Sequence, residues 1–134
     1  MIGLDTNVLV RFLTQDDPVQ GAIATRLMAE LTAEAPGFVG REVLVEFVWV
    51  LERAYGYGRA EVVAAIEGLL AAPEIRLEGH EETGAVLHRY REGGAGFADF
   101  LIATAARRAG ASRLVTFDRR AARIEGVELL LAQA

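Results

Sequence analysis

Short apolar runs of β type alternate with segments of helical period along the chain, and this alternation narrows the fold more than any other feature. Residues 1–4, 38–39, 75–77, 114–117 and 127–131 read as strands. Between them the apolar residues fall at helical spacing, over residues 7–13, from Pro18 to about residue 33, and over 41–55. Further helices are expected from Arg59 to Ala71, from Glu81 to Arg91, from about Ala98 to Arg108, and briefly over 119–123. Strands alternating with helices imply a parallel sheet covered on both faces. Asp16-Asp17-Pro18 is a strong helix start, a capping acid followed by proline at the first helical position. In the helix that follows, Val19, Ile23, Leu27 and Leu31 recur every four residues and are expected to face inward. Val62, Val63, Ile66, Leu69 and Leu70 form the inward face expected of the helix after Arg59. Gly56-Tyr57-Gly58, Pro73 and Gly110 are the corresponding stops. No linker, repeat or low-complexity stretch interrupts the pattern, so a single domain over 1–134 is expected.

Composition matters mainly through what is missing. There is no cysteine, which removes disulfides, thiolate zinc sites and thiol nucleophiles and fits a reducing cytoplasm. All 14 basic residues are arginine. Without lysine there is no Schiff-base chemistry and no phosphate-loop lysine. The amino terminus carries an acid at position 5 and no basic leader, so it does not read as a signal peptide. No apolar run reaches membrane-spanning length. A soluble, cytoplasmic protein is expected. The net charge of −5 argues against a broad basic nucleic-acid surface. It leaves open a cluster of acids that meets phosphate through a divalent cation.

Four acids stand out by their surroundings. Asp5 closes the first apolar run, and Asp118 closes Leu114–Phe117. Strand ends in a parallel sheet point the same way, so these two carboxylates can converge where α/β sheets bind ligands. Asp99 falls in the first turn of its helix, where the plain alternative is capping. Asp5 has the same alternative. Glu46 lies in the most apolar helix of the chain, with Val50 and Glu42 as its neighbours four residues away, so no cation is placed to pair with it. A buried, unpaired carboxylate is costly. The alternative is an exposed glutamate on the stripe Glu42-Glu46-Trp49-Arg53. Converging carboxylates repel one another unless hard divalent cations sit among them. Thr6, Asn7 and Thr116 would supply hydrogen bonds that orient ligands and water. The chemistry suggested is metal-dependent hydrolysis of a phosphodiester. Trp49, Tyr55 and Tyr57 fit a core or dimer surface better than a base-stacking platform.

Several motifs together carry a family resemblance. They are Asp5-Thr6-Asn7-Val8-Leu9-Val10-Arg11, Asp16-Asp17-Pro18, Leu44-Val45-Glu46-Phe47-Val48-Trp49-Val50-Leu51, Phe97-Ala98-Asp99-Phe100-Leu101-Ile102 and Thr116-Phe117-Asp118-Arg119. In this order and spacing the chain resembles a PIN-domain ribonuclease of the VapC toxin type, over essentially its whole length. The resemblance implies a three-layer α/β/α sandwich around a short, mostly parallel central sheet. It implies a Mg²⁺ or Mn²⁺ site built by Asp5, Glu46, Asp99 and Asp118, with Thr116 as the small hydroxyl residue beside the last acid. It also implies an RNA substrate, a homodimer, and a cognate antitoxin that occludes the site and forms a higher assembly with the toxin. Relatives carry a further acid near Gly96, and its absence weakens the expectation of a second metal. The competing readings are a structure-specific DNA nuclease using the same acids and a non-catalytic PIN-like binding module.

Overall fold

A computed structural model describes residues 1–131; residues 132–134 of the expected domain lie outside it. The chain groups into two compact units, Met1–His80 and the segment from Glu81 onward. Among the described residues, no helix is long and apolar enough to cross a membrane.

In the first unit β1 (Ile2–Gly3) leads into α1 (Thr6–Thr14), α2 (Pro18–Glu30) and β2 (Gly37–Val39). Then come α3 (Arg41–Tyr55), α4 (Arg59–Ala71) and β3 (Ile75–Leu77). The strands pair in parallel in the order β1-β2-β3, with Ile2 opposite Gly37 and Phe38 opposite Arg76. The Leu4 N–H donates to the Phe38 carbonyl at 2.9 Å, which carries the pairing one residue past β1 and brings the chain to Asp5. Strands this short offer few inward positions, so helices supply most of the core. Leu9 and Val10 come from α1, Leu44, Phe47, Val48 and Leu51 from α3, and Val62, Val63 and Ile66 from α4, all buried. Gly37 sits in close packing: a Cβ there would lie 2.7 Å from Leu4 Cδ1 and 2.9 Å from Leu31 Cδ1, so both leucine side chains would have to shift.

The α2 helix departs from expectation. Asp17 caps it as predicted, accepting from the Val19 and Gln20 N–H groups, but it ends at Glu30, short of residue 33. Its buried residues are Gly21 and Ala24, whereas Val19 and Ile23 are 70% and 57% exposed. The cause is close helix packing. A Cβ on Gly21 would come within 2.6 Å of Gln15 Oε1 and 3.5 Å of the Arg11 carbonyl oxygen, so α2 turns its small residues toward α1. The larger apolar row then faces away from that contact. Trp49 is likewise not core: it is 58% exposed, with the Arg53 guanidinium over its ring at 5.9 Å.

The second unit contains α5 (His80–Glu92), which begins at the junction, α6 (Phe97–Arg108), β4 (Leu114–Thr116) and β5 (Val127–Leu129). The two strands pair in parallel, Leu114 opposite Val127 and Thr116 opposite Leu129. The two helices meet through Tyr90 and Phe97, whose rings stand edge to face at 5.7 Å, and through an ion pair of Glu82 with Arg108 at 2.6 Å. Val86, Leu87, Phe100, Leu101, Ala121, Ile124 and Val127 are buried in this unit. The helix expected over 119–123 is a single 3-10 turn, Ala121–Arg123, and the strand expected through Phe117 stops at Thr116.

Helices and short parallel strands thus alternate as an α/β/α fold requires. Among the described residues the strand hydrogen bonds form two separate sheets, of three strands and of two. The expectation that Asp5 and Asp118 share one sheet edge is therefore not carried by the strand pairing.

Candidate active site

Asp5 stands between the end of β1 and the start of α1 with extended backbone (φ −85°, ψ 164°), and its Oδ1 accepts from the Thr6 N–H at 2.8 Å. The capping alternative is therefore real, but it engages only one oxygen; Oδ2 makes no hydrogen bond among the described residues. Asp5 and Glu46 line one open pocket of about 270 Å³, together with Thr6, Asn7, Val10, Arg11, Val50, Ala54 and Tyr55. The α3 helix places Glu46 on its polar side, so the side chain is exposed rather than buried. The cost of a buried, unpaired carboxylate therefore does not arise for Glu46. What distinguishes Glu46 is its place in the Asp5 pocket, with no hydrogen bond or ion pair among the described residues.

Thr6 differs from its neighbours in the pocket. It is only 3% exposed, and its Oγ1 has no hydrogen-bond partner among the described residues. An unsatisfied buried hydroxyl is uncommon and points to a water or ligand atom that completes it. Asp5, Glu46 and Asn7 bring two carboxylates and an amide to the pocket, hard oxygen donors of the kind Mg²⁺ and Mn²⁺ prefer. Among the described residues, neither unit by itself gathers three or more acidic or histidine side chains as a metal cage. Mg²⁺ does not need one, since it binds through one or two carboxylates and keeps waters and phosphate oxygens for the rest. Asp5, Glu46 and Asn7 fit such an ion.

Arg11 and Tyr55 belong to the pocket wall and were not singled out from the sequence as site residues. Arg11 follows Asn7 by four residues on α1, the spacing that puts both on one helix face. That spacing was available as a signal. Tyr55, expected in a core or dimer surface, instead donates its hydroxyl to Asp16, and nothing local to it in sequence announces this. Arg11 Nη1 donates to Asp16 Oδ1 at 3.0 Å and to the Tyr55 oxygen at 3.2 Å. The Asp16 carboxyl is held below its ordinary value by the Tyr55 hydroxyl first, then by Thr14, with the Arg11 charge adding to them. The Arg11 guanidinium is raised, mainly by the Asp16 charge.

The other predicted acids lie in the second unit. Asp99, half-buried in the first turn of α6, accepts through Oδ2 from the Gly96 N–H at 3.0 Å, the local role that a capping acid would play. A Cβ on Gly96 would stand 3.1 Å from Asp99 Oδ2, close enough that the carboxylate would have to give by a few tenths of an ångström. Asp118 is exposed, and its Oδ1 accepts from the Arg120 N–H at 2.8 Å and the Ala121 N–H at 3.3 Å. Its own N–H donates to Thr116 Oγ1 at 3.0 Å. Asp99 Oδ1 and Asp118 Oδ2 remain without hydrogen bonds among the described residues.

Acids carried in this order along alternating helices and short parallel strands define a class, and the comparison with known families agrees with it. Residues 2–127 match the family model described as PIN domain, and the chain belongs to the PIN domain family. It is similar to a VapC ribonuclease of Aquifex aeolicus (strain VF5), with 28% identity over 118 residues that make up 87% of each chain. A crystal structure of Mycobacterium tuberculosis VapC20, described as a sarcin-ricin loop cleaving toxin, covers 96% of this chain and 98% of its own length. Its identity is 22% and its TM-score 0.46, too distant a likeness to bear on the site.

Proposed function

We propose that this chain is a metal-dependent endoribonuclease that hydrolyses RNA phosphodiester bonds, acting in the cytoplasm as the toxin of a toxin–antitoxin pair. The observation that carries this reading is the open pocket where Asp5, Asn7 and Glu46 meet a buried, unpartnered Thr6 hydroxyl. Membership of the PIN domain family and the likeness to a VapC ribonuclease over 87% of the chain support it. Asp5 and Glu46 would hold Mg²⁺ or Mn²⁺, which supplies an acidified water and offsets phosphate charge. The Asp5 bond to the Thr6 N–H fixes the carboxylate at the head of α1, so its second oxygen is held ready without further ordering. Thr6 and Asn7 orient the attacking water or a phosphate oxygen by hydrogen bonding. Asp99, Asp118 and Thr116 belong to the same catalytic set through the motifs that carry them. Residues 1–134 act as one nuclease domain, in a homodimer that a cognate antitoxin occludes and joins in a larger assembly.

The test is incubation of the purified protein with total RNA, with and without Mg²⁺ or Mn²⁺, beside Asp5→Asn and with a matched DNA control. Discrete RNA fragments that need both metal and Asp5 are expected. Cleavage by Asp5→Asn at the wild-type rate, or cleavage of the DNA alone, sinks the proposal.

A further inference from the structure

Arg11 is tethered on one side and open on the other. Its Nε donates to Gln20 Oε1 at 2.8 Å, and its Nη1 donates to Asp16 at 3.0 Å and Tyr55 at 3.2 Å. Nη2, with its pair of N–H donors, has no protein partner among the described residues. The residue lines the Asp5–Glu46 pocket and also an adjoining cavity of about 220 Å³ bounded by Asn7, Gln20, Ile23 and Leu27. Both oxygens of Asp16 are engaged: Arg11 and Thr14 Oγ1, the latter at 2.8 Å, reach its Oδ1, and the Tyr55 hydroxyl donates to its Oδ2. The tether therefore joins α1, the α1–α2 link, α2 and the last residue of α3 around a single guanidinium.

We propose that Arg11 holds a phosphate of the RNA backbone at the rim of the Asp5–Glu46 pocket, and that Asp16 and Tyr55 are its positioning residues. The assignment rests on the ribonuclease reading above. Two carboxylates in one pocket repel a phosphodiester, and an ion between them offsets charge at one point only. A second, fixed donor is needed to set the register of the strand, and phosphate contacts do this in nucleic-acid complexes generally. A guanidinium edge with free N–H groups matches phosphate oxygens in geometry as well as charge. A long side chain ordinarily loses rotamer freedom on engaging a ligand; Gln20, Asp16 and Tyr55 have already removed it here. Because Asp16 cancels much of the Arg11 charge at a distance, the contribution is one of contact geometry rather than long-range steering.

The test uses the full chain and an end-labelled single-stranded RNA of mixed sequence. Arg11→Gln, Arg11→Lys and Tyr55→Phe are compared with wild type by cleavage kinetics in Mg²⁺ and by fluorescence anisotropy in metal-free buffer, with thermal melts to verify the fold. Arg11→Gln is expected to raise KM and the metal-free Kd about tenfold, with kcat changed by less than about threefold. Arg11→Lys keeps the charge without the fork and does not restore either constant. Tyr55→Phe leaves Arg11 in place but loosens it, and raises KM by about threefold. If Arg11→Gln does not fold, Tyr55→Phe decides by the same two constants. Unchanged KM and Kd in the folded variants overturn the assignment and leave the cluster a structural tie, while the ribonuclease reading stands because the wild type still cleaves. A wild type that cleaves no RNA with either metal overturns that reading and the assignment with it.

Discussion

The two units hold their carboxylates in different ways. In the first, Asp5 follows a strand and heads a helix of nine residues whose inner side, Leu9 and Val10, is buried in the core. Its neighbour Thr6 is buried too, so the residues around the acid are fixed by packing. In the second, Asp118 follows a strand whose middle residue, Val115, is exposed, and it comes directly after Phe117, itself 80% exposed. What fixes Asp118 is a set of its own short-range bonds, to Thr116, Arg120 and Ala121. A carboxylate held by a core and one held by its own turn respond differently to mutation. The first is sensitive to distant packing changes, the second only to local ones.

The largest effect should be chemical. Asp5→Asn retains a good helix cap and should leave stability within about 0.5 kcal/mol, yet reduce RNA cleavage by about a hundredfold or more. Cleavage assays beside urea melts check both halves, and a large loss of stability would mean that capping, not chemistry, is the main role of Asp5. Next is the core that supports it. Leu44 is fully buried, and Leu44→Ala should cost about 3 kcal/mol. Val115→Ala, at a half-open strand, should cost about 1 kcal/mol or less. Equal losses in chemical denaturation would erase the contrast between the two units.

A smaller change is expected at the turn. Asp118→Ala should cost about 1 kcal/mol through the lost cap, and Asp118→Asn less, because an amide oxygen still accepts from Arg120 and Ala121. The finest test is pH. The Asp16 carboxyl lies below its ordinary value of 3.8 in the folded chain, chiefly through the Tyr55 hydroxyl. A depressed folded pKa contributes stability that is present above 3.8 and is lost as pH falls through the lower folded value. Thermal melts between neutral pH and that acidic range should therefore drop less steeply in Asp16→Asn than in wild type. Parallel curves would show that the Arg11–Asp16–Tyr55 cluster adds no acid sensitivity.

Much of this was legible from residues alone, for identifiable reasons. The α3 and α4 helices have the expected limits, Arg41–Tyr55 and Arg59–Ala71, because glycine or proline marks their ends. β3 at Ile75–Leu77 is bounded in the same way, by Pro73 and Gly79. Asp5, Thr6, Asn7 and Glu46 were grouped as site residues from motif and chemistry, and the structure brings these four to one pocket. Glu46 is nonetheless exposed rather than buried: an apolar helix can keep one open side, and local sequence does not say which. The inward face of α2 was misjudged for a related reason. Hydrophobicity favoured Val19 and Ile23, but the close approach of α1 selected Gly21 and Ala24.

Local order is thus written in the sequence: where most helices start and stop, and that the strands run parallel. These depend on neighbours within a turn or two, where backbone sterics and capping act. Contacts between distant residues were decided only by the tertiary structure. Arg11 meets Tyr55 across 44 positions and Asp16 meets Tyr55 across 39, and no periodicity relates them. Which face of α2 is buried, and that the Thr6 hydroxyl is shut in without a partner among the described residues, follow from how the helices pack, because shape complementarity between elements is a property of the pair and not of either one.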